Sequence, residues 1–225
     1  MGRKLITEAD IVAAAGKGLR SIVVDPMTII TPSARDAAAR LKVALVPAGS
    51  AQGPSTFVES VVVYEPKGSA TKPKVIALGS DHGGFSLKAV LRSHVLDLGW
   101  SVADVGTHSE QACDYPDFAY AVATMVAAGQ AERGIMIDSV GLASAMVCNK
   151  VPGIRAAAAF SELAARSSRE HNDANVLTLG GKVLGTEAAK AIVTVWLETW
   201  FGGGRHKARL EKISDIEKRF TKGGA

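Results

Sequence analysis

The chain has 225 residues, 47% of them hydrophobic and 21% charged, with a net charge of +4 and a pI near 9.1. Those values fit a globular protein long enough to bury its core without disulfide or metal staples, and the only two cysteines, Cys113 and Cys148, fit no metal-ligand spacing. Lysines and arginines are scattered and aromatics make up 5%, which argues against nucleic acid. No apolar run reaches bilayer length, and Arg3, Lys4, Glu8 and Asp10 interrupt what would be the core of a signal peptide. A cytoplasmic protein is the expectation.

Thr7 with Asp10 resembles a capping box opening a short helix. Thr31-Pro32 places an N-cap and a helix-compatible proline before a helix over Ser33 to Leu41. Val43 to Val46 and Ser60 to Val63 read as strands. No internal repeat is evident, and the segment holds no titratable cluster. Glu65 to Lys74 is rich in Pro, Gly, Ser and Lys, the composition of a linker. The expected division is an extension over 1–64, a linker over 65–73 and a main domain over 74–225.

Beyond the linker, short apolar runs alternate with amphipathic segments. Strands are expected at Val75–Leu78, Val102–Val105, Gly134–Ile137, Ile154–Phe160 and Val176–Leu179. Helices are expected at Gly84–Leu98, Tyr115–Ala128, Leu142–Cys148, Glu162–Glu170 and Glu187–Trp200, with a last one from His206 to Phe220. The alternation predicts an α/β fold: a doubly wound, five-stranded parallel sheet between helical layers, preceded by a small α+β extension. Ligands in such sheets sit outside the carboxyl ends of the strands.

The residues after each strand are therefore the candidates. Asp81 and His82 follow the first strand in Gly79-Ser80-Asp81-His82-Gly83-Gly84, which is not the dinucleotide fingerprint. Asp138 follows the third, ahead of a small-residue loop, Ser139-Val140-Gly141-Leu142-Ala143, whose backbone N–H groups could receive an oxyanion. Partial burial is expected to raise the pKa of Asp138 towards that of a general base. His171 closes the fourth helix, where a cationic form is favoured. Lys182 follows the fifth strand and Gly180-Gly181. Arg205 and Arg209, one helical turn apart behind Gly202-Gly203-Gly204, suit a phosphate. Tyr115 either contacts substrate or packs at a helix start, and Cys148 reads as core.

In order, G-S-D-H-G-G-F-x-L-K from Gly79, D-Y-P-D-F from Asp114, N-K-V-P-G-I-R-A-A from Asn149, R-E-H-N-D-A-N-V-L-x-L-G-G from Arg169 and G-G-R-H-x-x-R from Gly203 resemble the ribose-5-phosphate isomerase B and galactose-6-phosphate isomerase family. The resemblance covers residues 74 to 219. It implies a Rossmann-like sheet, a homodimer or dimer of dimers with active sites completed across the interface, and isomerisation through an enediolate with neither metal nor cofactor. By position it gives Asp81 and His82 contacts to the sugar, and Tyr115 a place in the pocket wall. His171 receives ring opening, Asn172 substrate holding, and Arg205, Arg209 and Lys182 the phosphate.

Many family members carry a cysteine base where this chain has Asp138, followed by a G-T-G-x-G loop, and others a glutamate at the position of Ser144. Here the segment reads D-S-V-G-L-A-S, so Asp138 is the expected base, acting on a tetrose, pentose or hexose phosphate. A non-catalytic phosphosugar-binding protein and an epimerase or lyase stay open as alternatives. In the extension, L-I-T-E-A-D-I and I-I-T-P-S-A-R-D look similar to N-terminal segments of bacterial microcompartment-associated proteins, which implies an association role there.

Overall fold

The computed structural model describes residues 5–16, 21–24, 29–47, 61–66 and 74–221. The chain divides into two compact units, Met1–Ser55 and Thr56–Ala225. In the first unit, strand β1 (Leu5–Ile6) leads into helix α1 (Glu8–Gly16) and strand β2 (Ser21–Val24). Strand β3 (Ile29–Ile30) then leads into helix α2 (Pro32–Leu41) and strand β4 (Ala44–Pro47). The expected caps form: the Thr7 N–H donates to Asp10 Oδ2 at 2.8 Å, and the Ala34 N–H donates to Thr31 Oγ1 at 3.2 Å. Ile6, Ile11, Val24, Ala34, Ala37, Ala38 and Val43 bury a small core between the two helices and their strands.

The sequence shows no internal repeat, yet the backbone of this unit has one. Leu5-Ile6-Thr7 and Ile29-Ile30-Thr31 open two strand–threonine cap–helix–strand halves. Each strand of one half pairs in parallel with its counterpart in the other, Leu5 opposite Ile29 and Ile22 opposite Leu45. Sequence alone hid this because the helices share little beyond alanine; the geometry repeats while the side chains do not.

In the second unit the strands are β5 (Val62–Tyr64), β6 (Val75–Ser80), β7 (Ser101–Asp104), β8 (Arg133–Asp138), β9 (Ala156–Ala158) and β10 (Val176–Gly180). They form one sheet in the order β5-β7-β6-β8-β10-β9. All neighbours are parallel except β5, which runs antiparallel to β7, Val63 opposite Ala103. The sheet thus has the five expected parallel strands plus one. The strand read at 60–63 in the extension belongs instead to the main sheet, where a run of β-branched residues covers the open edge of β7. Residues 67–73 of the expected linker lie outside the described residues.

Helices α3 (Phe85–Asp97), α4 (Tyr115–Ala127), α5 (Leu142–Cys148), α6 (Glu162–Glu170) and α7 (Thr186–Glu198) cross between the strands. Alternation along β6 and β8 explains the layers. Ile76, Leu78, Ile135 and Ile137 face a core with α3, α6 and α7 around the fully buried Trp196, while Ala77 and Met136 face α4 and α5. Cys148 lies in that second core, its thiol pushed up to about 12 chiefly by burial. Burying both faces leaves only the two ends of the parallel strands for chemistry. Helix α8 (Arg205–Thr221) lies across the amino end and buries none of its residues: the Gly202 N–H ahead of it donates to Glu170 O at 2.9 Å, and near its end Glu217 Oε2 accepts the Gly153 N–H at 3.0 Å.

Candidate active site

At the carboxyl edge, three strand-end loops lock together through backbone. The Asp81 N–H donates to Ile137 O at 3.1 Å, the Gly181 N–H to Asp138 O at 2.7 Å and the Lys182 N–H to Ser139 O at 3.1 Å. Gly84 passes so close to the end of β8 that a methyl group there would lie 2.4 Å from Ile137 O. Asp81, His82, Asp138, the 139–143 loop and Lys182 are thereby brought to one edge, as expected. Asp81 Oδ1 accepts the Gly84 N–H at 3.0 Å. Burial raises its pKa, against the Gly84 and Gly83 N–H groups and His82. His82 Nδ1 lies 3.1 Å from Cys113 O and 3.2 Å from Cys113 N.

Asp138 departs from expectation. It is 4% exposed, and burial alone would raise its pKa. The Ser144 hydroxyl and the backbone N–H groups of Gly141, Val140 and Ser144 outweigh that and hold it below the ordinary carboxylate value. Oδ1 accepts from Val140 at 2.7 Å and from Gly141; Oδ2 accepts the Ser144 N–H at 3.0 Å and the Ser144 hydroxyl. Gly141 turns at φ +90°, a conformation that favours glycine, so that its N–H reaches back to Oδ1. Two N–H groups of the expected oxyanion loop, those of Val140 and Gly141, are therefore already engaged. Among the described residues, those of Leu142 and Ala143 donate to no acceptor.

His171, Asn172, Arg205 and Arg209 sit at the opposite edge. The chain after α6 meets the starts of β8 and β9: the Gly134 N–H donates to Asn175 O at 2.8 Å, and Arg155 Nε donates to Asn172 O at 3.0 Å. The rings of His171 and His206 stack with centroids 4.5 Å apart and an interplanar angle of 13°. Desolvation, His171, Arg205 and Arg209 all depress the pKa of His206. A compact cationic cluster results. Beneath it, buried Arg169 donates to Asp173 Oδ1 at 2.9 Å and to Ala174 O, and Arg155 pairs with Asp173 Oδ2 at 2.9 Å. Buried Arg133 donates to Trp196 O and Leu197 O and has its pKa lowered to about 10, first by burial. The strands measure on the order of 16 Å from one edge to the other at six residues of about 3.3 Å rise, so one chain does not join its carboxylates to its cationic cluster.

A cavity of about 400 Å³ opens beside His82, lined by residues that include Val105, Gly106, Thr107, Cys113, Asp114 and Phe118. Tyr115 is half-buried against the α4–α5 core rather than in that lining. The loop is fixed by a buried pair, in which Lys88 Nζ donates to Asp104 and, at 2.8 Å, to Thr107 O. Lys88, Arg169 and His206 were not singled out as site residues. Each stands within one of the quoted motifs, but other residues of that motif draw the assignment. Among the described residues no group of His, Cys, Asp and Glu could hold a metal ion, and no helix is long and apolar enough to cross a membrane.

A doubly wound sheet thus carries acids at one strand edge and a cationic cluster at the other. The chain belongs to the Ribose/Galactose Isomerase family, whose sequence model matches residues 76–213, and it is a sugar-phosphate aldose–ketose isomerase. Ribose-5-phosphate isomerase B of Escherichia coli (strain K12) is 44% identical over 146 residues, covering 65% of this chain and 98% of that one. D-erythrulose-4-phosphate isomerase of Pectobacterium atrosepticum is 36% identical over 143 residues, covering 63% and 94%. The solved structure of ribose-5-phosphate isomerase B from Clostridium thermocellum matches with a TM-score of 0.64 and 48% identity, covering 65% and 99%. That of the Mycoplasma genitalium enzyme with bound ribulose-5-phosphate matches with 0.62 and 38%, covering 64% and 96%.

Proposed function

We propose that the chain interconverts ribose 5-phosphate and ribulose 5-phosphate, or a related tetrose or hexose phosphate pair, through an enediolate in sites shared between two copies. The observation that carries this reading is the separation of the acids from the cations on opposite strand edges. A second copy supplies what one chain keeps apart: its Arg205 and Arg209 grip the phosphate, its His171 assists ring opening and its Asn172 holds the sugar. The first copy supplies Asp81, His82, Lys182, the wall near Tyr115 and, from the 139–143 loop, the N–H groups of Leu142 and Ala143. Exposed Leu142, Met146, Phe160 and Leu163 near the carboxyl edge, and exposed Ile213, Ile216 and Phe220 on α8, support burial against a second copy. The extension, with its weak likeness to microcompartment-associated segments, takes an association role.

A carboxylate at the carboxyl edge takes the proton next to the carbonyl. Family position favours Asp138 for this, in place of the usual cysteine; its hydrogen bonding favours Asp81. The reaction class is tested by incubating pentose, tetrose and hexose phosphates in D2O and following exchange at that carbon by NMR. Exchange with ketose formation is the expected outcome, and absence of exchange with all three overturns the reading. Product analysis in the same samples separates isomerisation from epimerisation and elimination, which begin at the same enediolate.

A further inference from the structure

We infer that Asp81, and not Asp138, is the carboxylate that takes the proton from the sugar carbon, and that Asp138 is a positioning residue. This deepens the isomerase reading and rests on it. A base needs a lone pair that is empty and aimed at the reacting carbon. An ionised carboxylate offers about four lone-pair positions. Asp138 has four donors on them, two at each oxygen: Val140 and Gly141 at Oδ1, and the N–H and hydroxyl of Ser144 at Oδ2. All four belong to the one turn that opens α5, and taking up a proton would break that turn.

Asp81 is held differently. Its backbone N–H donates to Ile137 O at 3.1 Å, and its Oδ1 accepts the Gly84 N–H at 3.0 Å. The Gly83 N–H also favours its charged form, and among the described residues no hydrogen bond is formed at its Oδ2. One oxygen fixes the side chain while the other stays available, at the end of a central strand flanked by β7 and β8. Burial, with the neighbouring charge of Asp138 added, moves the Asp81 pKa upward, towards the range of a working base, while Asp138 moves the other way. Ser139 stands beside it: a methyl on Gly83 would lie 2.3 Å from Ser139 Oγ and 3.3 Å from Asp81 Oδ1. A hydroxyl donates and accepts at once, which suits a proton moving between two sugar oxygens.

The step balances within the sugar. Starting from the open-chain aldose, Asp81 Oδ2 takes the proton from C2. The C2–H electron pair becomes the C1–C2 double bond, and the carbonyl pair moves to O1. The hydroxyl proton passes from O2 to O1. Asp81 then returns its proton to C1, which leaves the carbonyl at C2 and the carboxylate as it began.

The test compares Asp81→Asn and Asp138→Asn in the D2O exchange assay, on whichever of ribose 5-phosphate, erythrose 4-phosphate or glucose 6-phosphate the unmodified protein exchanges best. Asp81→Asn is expected to lower exchange by about 10³-fold, within the range for loss of a general base, with the thermal shift given by inorganic phosphate unchanged. Asp138→Asn is expected to lower the melting temperature and to keep exchange within about 30-fold, as a positioning role allows. Asp81→Glu keeps the charge but displaces the carboxylate; a loss of about 10² in kcat at unchanged KM is expected, and it decides the matter should Asp81→Asn not fold. Exchange by Asp81→Asn within tenfold of the unmodified protein overturns the inference. So does a 10³-fold loss in Asp138→Asn with its melting temperature intact, or full kcat in Asp81→Glu. No exchange by the unmodified protein would instead remove the isomerase reading itself.

Discussion

The carboxyl and amino edges of the parallel sheet are built by opposite means. At the carboxyl edge, glycine backbone passes within contact of neighbouring backbone, and two carboxylates are steadied by N–H groups and one serine. At the amino edge, arginines are steadied by aromatic rings and by backbone carbonyls: Arg133 lies 5.5 Å from the Trp196 ring centroid, and Arg169 lies 5.8 Å from it. Strand ends account for the choice. N–H groups at the start of a helix, where α3 and α5 begin, favour anions, and carbonyls at the end of a helix, where α6 and α7 finish, favour cations. The parallel fold thus sorts the two charges before any substrate arrives, and under the proposed function a phosphosugar that needs both bridges two copies.

The most direct way to test that division is to damage each edge in a different copy. Replacing Arg205 and Arg209 together by alanine removes two charge-assisted phosphate contacts, each about 1.5–3 kcal/mol. A fall in kcat/KM of about 10² to 10⁴ is the expected result. Mixing that variant one to one with Asp81→Asn copies should restore about a quarter of the original activity, since half of randomly paired dimers hold one intact site of two. Activity that stays at the sum of the two separate variants would mean that each chain works alone.

Much of this division could be read from the sequence. The strand–helix alternation located all five parallel strands, because four are short runs buried on both faces and the fifth, the half-buried edge strand β9, is an alanine run between two helices. The same alternation put Asp81, Asp138 and Lys182 after strands, and His171 at the end of a helix. Partners were not legible. Asp138 reads in sequence as a partly buried base, and only the turn at Gly141 reveals that Val140, Gly141 and Ser144 fold back onto it. Strand Val62–Tyr64 lay across a linker-like stretch, and short-range pattern says nothing about which sheet an edge strand joins. The buried Lys88–Asp104 pair joins a helix to a strand end through a contact that spacing cannot show.

That pair allows a second comparison, between a loop fixed by charge and one fixed by backbone. Lys88 and Asp104 are 2% and 1% exposed, and Lys88 also holds Thr107 O beside the cavity. Lys88→Met leaves the Asp104 charge buried with Arg92 as its remaining ion-pair partner, at 3.5 Å. Breaking a buried pair on one side destabilises by about 3–5 kcal/mol. Denaturant unfolding should show a loss of that order, and the double variant Lys88→Met, Asp104→Leu should recover a good part of it. A loss below about 1 kcal/mol, the range of an exposed pair, would mean that the loop stands without it.

The smallest effect separates the two carboxylates of the carboxyl edge by stability alone, without any substrate. Asp138 has its folded pKa depressed by Ser144, Gly141 and Val140 overcoming burial. Its stabilisation is therefore full above the unfolded value near 3.9 and is lost as pH falls through the lower folded value. Asp81 has its folded pKa raised by burial. It favours the fold only below about 3.9 and opposes it as pH rises through the folded value. At pH 7, Asp138→Asn should lower stability by about 1–3 kcal/mol, because its amide nitrogen meets N–H donors that lose their acceptor. Asp81→Asn should be neutral or slightly stabilising. Lowering the pH from 7 to 3 should shrink the deficit of Asp138→Asn relative to the unmodified protein. For Asp81→Asn the difference should move the other way, the unmodified protein regaining what its buried charge took away. Thermal unfolding across that interval measures both. Equal and parallel pH dependence of the two variants would show that the two carboxylates share one environment, and it would remove the physical ground for giving them different tasks.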